Sequence, residues 1–154
     1  MFRSLLPALV TVLGSVSALP LNSPAPTFTL ADGKGQPWKL ADHLVRERLL
    51  VVGAPSVAYL DEIVRQTGLL QDRDLRVVAL VPPGDAALKR SPSPMLTVLS
   101  DPGGRVAARS GRAVLIGKDR GLKASYASLP SLNVILGLID TMPMRQQEQR
   151  TRGR

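Results

Sequence analysis

Two apolar runs constrain this chain more than any other feature. Leu49-Leu50-Val51-Val52-Gly53 and Leu75-Arg76-Val77-Val78-Ala79-Leu80-Val81 are apolar with almost no alternation, the pattern of strands covered on both faces. Between them Ser56 is a natural helix N-cap, because its hydroxyl can accept a first-turn amide hydrogen bond. Val57, Leu60, Ile63 and Val64 then follow at the i, i+3, i+4 spacing of one buried face, with Asp61, Glu62 and Arg65 on the other. Gly68 is placed to stop this helix, and Gln71 to Asp74 supply a polar connection. Strand, helix, strand over about 30 residues makes a right-handed parallel crossover. The chain is thereby committed to the α/β class, with a sheet covered by helices.

The flanking sequence completes the architecture. Phe28-Thr29-Leu30 and Trp38-Lys39-Leu40, around Ala31 to Gln36, read as a small opening hairpin. Pro82-Pro83-Gly84 breaks the pattern into an exposed loop or irregular helix that runs to Pro94. Met95 to Leu99 is a short apolar run, and Asp101-Pro102-Gly103-Gly104 turns it into a short helix, Arg105 to Arg109. Ala113 to Ile116 and Leu122 to Tyr126 flank Lys118-Asp119-Arg120-Gly121, an antiparallel hairpin signal. A terminal helix capped by Ser131 buries Leu132, Ile135, Leu136 and Ile139 and halts at Met142-Pro143. Residues 25–142 form one domain. Residues 143–154, arginine-rich and poor in apolar side chains, read as a flexible basic tail.

Residues 1–18 have the parts of a secretory signal: Arg3, an apolar stretch from Leu5 to Leu13, and Val16-Ser17-Ala18 before an expected cleavage. A retained signal anchor is the weaker alternative, since the stretch falls short of the roughly 20 residues a membrane span needs. The mature protein is therefore expected to be periplasmic or extracellular, with no stable membrane insertion. The chain contains no cysteine. That excludes thiol redox chemistry, disulfides and a lipoprotein anchor together.

The formal net charge is +8. Much of it lies between Lys89 and Lys123, where eight basic residues face only Asp101 and Asp119. Such a stretch attracts anionic partners with strong salt dependence. Within it, Arg105, Arg109, Arg112, Lys118 and Arg120 are the candidate anion-binding residues.

The order of elements, a parallel crossover followed by an antiparallel hairpin and a terminal helix, resembles the thioredoxin-like fold. Ala25-Pro26-Thr27-Phe28-Thr29-Leu30 with Asp32-Gly33-Lys34, and Leu99 to Gly104, are similar to pieces of peroxiredoxins and their exported relatives. Asp72-Arg73-Asp74-Leu75, Val114 to Asp119 and Ile139-Asp140-Thr141-Met142-Pro143-Met144-Arg145 resemble more closely a bacterial family of exported, uncharacterised thioredoxin-like domains. The resemblance implies a mixed central sheet and places Val57 and Leu60 where two redox thiols would stand. Neither side chain can ionise or attack. Apolar residues there point to a former site that packs, or else docks a ligand. The proline that usually precedes the hairpin strand is replaced by Ser110-Gly111-Arg112-Ala113.

Other chemistries find little support. Ser56 as a nucleophile needs a base, and the only histidine, His43, lies before the central strand. One histidine without thiols makes no transition-metal site. Asp72-Arg73-Asp74 starts like a calcium loop, but Val77 and Pro83 stand where that loop needs glycine and glutamate, so it reads as a turn. Gly33 to Trp38 lacks the third glycine of a dinucleotide fingerprint, and no cofactor is expected. Phe28, Trp38, Tyr59 and Tyr126 are too scattered for a nucleic-acid stacking platform. The sequence thus points to an exported, non-enzymatic binding module for an unknown protein or anionic envelope component. The alternative is a peroxiredoxin-like antioxidant acting without cysteine.

Overall fold

The computed structural model describes residues 20–153, so the signal reading of residues 1–18 lies outside it. Seven strands run β1 (Thr29–Asp32), β2 (Pro37–Lys39), β3 (Arg48–Gly53), β4 (Leu75–Val81), β5 (Leu96–Ser100), β6 (Ala113–Ile116) and β7 (Leu122–Tyr126). Five α-helices are interspersed: α1 (Val57–Arg65), α2 (Thr67–Asp72), α3 (Arg105–Ser110), α4 (Leu132–Asp140) and α5 (Pro143–Arg152).

The strands form one mixed sheet in the order β2-β1-β5-β4-β3-β6-β7. β3, β4 and β5 are parallel, and the pairs toward both edges are antiparallel. The unalternating run proves central: every residue of β3 is buried. Its even-numbered side chains, Leu50 and Val52, face Leu60 and Ile63 of α1, Leu70 of α2 and Ile135 and Ile139 of α4. Leu49 and Val51 face the other way, onto Leu40, Leu99 and the partly buried Trp38, Val106 and Ala107. Two cores on opposite faces of one sheet are what the α/β class requires.

Three local expectations are corrected. The helix does not run to Gly68: it breaks at Gln66, whose backbone leaves the helical region, and Gly68 lies inside α2. Val57 and Val64 are exposed rather than buried. The stripe that meets the sheet runs through Tyr59, Leu60 and Ile63, so Val57 and Val64 lie roughly 100° round the helix from its centre. The segment read as a flexible tail is also ordered, because residues 143–152 form α5 with Arg145 2% exposed.

Candidate functional site

β3 gives the molecule two ends, separated by about 20 Å of strand. Beyond its carboxyl end lie Ala54 and α1. Ser56 caps α1 as expected, its Oγ accepting the Tyr59 amide at 3.1 Å. Val57, the first helical residue, is 67% exposed, whereas Leu60 is 1% exposed in the core. The two positions assigned to thiols therefore separate, one on the rim and one packed. Tyr59 completes the helix's attachment by donating its hydroxyl to the Pro130 carbonyl at 2.9 Å.

At the same end α3 is fastened by Asp101. This buried carboxylate accepts the amides of Val106 at 3.2 Å and Ala107 at 3.0 Å. The chain reaches α3 through Gly103 and Gly104, both in the left-handed region that glycine adopts without strain. α3 packs so closely on β3 that a Cβ at Gly53 would lie 3.1 Å from that of Ala107. A cleft of about 210 Å³ is lined by Ala54, Pro82, Gly103, Gly104 and Ala107, among others.

The arginines that follow from this geometry are Arg105, Arg109 and Arg112, all exposed. Arg105 and Arg109 are one turn apart on α3 and share a face. Arg112 donates to the Ala54 carbonyl at 3.2 Å, its backbone carbonyl accepting the Gly53 amide at 2.9 Å. Among the described residues no carboxylate lies within ion-pair distance of any of the three.

Lys118 and Arg120 do not join them. They stand on the β6–β7 turn, at the amino end of β3, and Lys118 is held by Asp74 and Glu148, each at 2.8 Å. His43 is also at that end, away from Ser56. Its ring stacks on Trp38 at 4.4 Å between centroids, and its Nδ1 meets Glu47 Oε2 at 3.0 Å. Burial pushes the Glu47 carboxyl up, but hydrogen bonds from Arg76 and His43 outweigh it and hold the group below the ordinary glutamate value.

What sequence reasoning missed is the charge network at this second end. Arg48 donates to Glu148 and to the Arg73 carbonyl, Arg73 grips Asp140 with two nitrogens, and Arg145 reaches Asp72 and Asp140. Arg152 adds a bond to Asp72. The Arg73 guanidinium, against some burial, holds Asp140 below the usual aspartate value. For Glu148 burial is the largest influence and raises it, yet bonds from Lys118 and Arg48 bring it below the glutamate range. Of the calcium-like Asp72-Arg73-Asp74, read as a turn after a polar connection from Gln71, only Arg73 and Asp74 make the turn, since α2 runs on through Gln71 to Asp72; both carboxylates are taken up by cations.

The three strings that carry the family resemblance, at 72–75, 114–119 and 139–145, meet in this network. They fall within residues 39–148, which match the family described as "Domain of unknown function (DUF4174)". The chain belongs to the DUF4174 family. No curated protein matches this family member in sequence. Among solved structures it is similar to the mitochondrial 2-Cys peroxiredoxin of Plasmodium falciparum, at 10% identity over 79% of this chain and 93% of that one, with a TM-score of 0.62. It is similar also to a mutant peroxiredoxin 6 of Arenicola marina, at 19% identity over 84% and 76%, TM-score 0.67. A putative thioredoxin from Neisseria meningitidis matches at 24% identity over 76% and 87%, TM-score 0.59. These likenesses establish the thioredoxin-like fold. Without cysteine, this DUF4174 chain has no thiol to place on it.

Proposed function

We propose that this DUF4174 domain is an exported binding module without thiol redox chemistry, which takes an anionic envelope component on the face formed by Arg105, Arg109 and Arg112. One observation carries the reading: these three exposed guanidinium groups have no carboxylate partner among the described residues, while Arg48, Arg73, Arg145 and Arg152 at the opposite end are tied into ion pairs. Free arginines present forked donors to phosphate or carboxylate at little desolvation cost. The adjoining end of α1 carries an exposed valine where turnover would need a nucleophile. Export rests on residues 1–18, and N-terminal sequencing of the secreted form is expected to begin at Leu19.

Binding of the protein to phosphatidylglycerol vesicles across a salt series tests the proposal. Affinity is expected to fall steeply with salt. A salt-independent affinity, or repeated peroxide turnover by metal-free protein, contradicts it.

A further inference from the structure

Helix α5 is docked by charge. Its apolar side chains are Pro143 and Met144, neither of which belongs to the two cores, and Met144 is half exposed. Beneath it, Arg48 at the start of β3 is 1% exposed, so its guanidinium has been taken almost wholly out of water. Such a group is costly unless a carboxylate meets it. The carboxylate comes from α5: Arg48 Nη1 and Nη2 donate to Glu148 Oε2 and Oε1 at 3.3 and 3.2 Å, and Lys118 Nζ donates to Oε1 at 2.8 Å. A cleft of about 310 Å³ adjoins the pair, lined by Arg48, Gly117, Lys118, Met142 and Pro143 among others.

This arrangement is a fork with a second cation at its side, built on the rigid central strand and the β6–β7 turn. We propose that Arg48 and Lys118 form a carboxylate-binding site, that Glu148 fills it as an internal ligand, and that a carboxylate from another molecule takes its place when α5 lifts. Charge selects the ligand class. Lys118 also holds Asp74, and Arg145, 3.9 Å from Glu148 Oε2, is itself offset by Asp72 and Asp140, so the site offers about one net positive charge. A carboxylate monoanion matches that, whereas a phosphate dianion would be repelled by Asp74. The site is independent of the arginine face at the other end of β3.

Chemical rescue tests it on the full chain. Glu148→Ala removes the internal ligand and leaves Arg48 buried without its carboxylate. Its melting temperature is measured in acetate, in N-acetylglutamate amide, in phosphate and in chloride at equal ionic strength. Either carboxylate is expected to raise it by about 4 °C over chloride, with no such excess in the wild type, whose site is filled. The stronger of the two identifies a small carboxylate or a peptide side chain as the preferred source. The excess is expected to vanish in Arg48→Met/Glu148→Ala. If Glu148→Ala does not fold in chloride, recovery of its helical circular dichroism on adding acetate instead of chloride is the readout. Equal responses to acetate and chloride, phosphate outperforming both carboxylates, or rescue that survives the loss of Arg48 overturns the proposal.

Discussion

Val57 and Leu60 lie three residues apart on one helix, yet one meets solvent and the other is sealed in the core. Because the chain has no cysteine of its own, a single introduced thiol reports each environment without background. In Val57→Cys the thiol sits at a helix N-terminus, which lowers its pKa and speeds alkylation. In Leu60→Cys it is reachable only through opening of the fold. Native-state iodoacetamide labelling is expected to be on the order of 100-fold faster at position 57; equal rates contradict the geometry. Spacing alone misjudged Val57, because the buried stripe is turned toward Tyr59, whose hydroxyl bond to Pro130 joins residues far apart in sequence. Asp101 was legible only as part of a turn. Its two amide bonds to α3 are long enough in sequence to escape a capping pattern, and Asp101→Ala is expected to cost about 2 kcal/mol in denaturant unfolding. An unchanged midpoint would show that α3 is held by packing alone.

Among the elements, the strands and the capped helices α1 and α4 could be read directly, since apolar period and N-caps are local signals. α5 could not. Its arginines and glutamine-rich face look like solvated chain, and their partners Asp72, Asp74 and Arg48 are distant in sequence. The strings at 72–75 and 139–145 were visible, but only the fold shows that they meet. A helix held this way answers to pH. Asp140 faces Arg73 and Arg145, and Glu148 faces Arg48, Lys118 and Arg145, and both carboxyls lie below their ordinary values. Folded values below unfolded ones give stability that is full above the unfolded carboxylate range and is lost as pH falls through the folded values. Hydrogen exchange, corrected for its intrinsic pH dependence, is expected to show α5 losing protection below about pH 4 while β3 keeps it. Loss of both together would mean that α5 is not a separate charge-held unit.

The whole molecule is a thioredoxin-like sheet with unlike ends. At one end, charge is spent internally to fasten α5; at the other, three arginines face solvent beside a helix start that carries no thiol. Fold class was legible because strand order follows from local patterns and short connections. The division between paired and unpaired charge was not, because composition counts arginines without locating carboxylates. Of the five expected anion-binding residues, Arg105, Arg109 and Arg112 lie at the carboxyl end of β3 and Lys118 and Arg120 at its amino end. If the arginine face, and not overall charge, is what binds, position must matter more than number. The direct measurement compares vesicle affinity of Arg105→Gln/Arg109→Gln/Arg112→Gln with that of Lys34→Gln/Arg120→Gln/Arg150→Gln, which removes the same charge from other exposed sites that also carry no ion pair. At about 1 kcal/mol per arginine, the first is expected to bind roughly 100-fold more weakly than wild type and the second to stay within a few-fold of it; equal losses in the two variants would contradict a dedicated binding face.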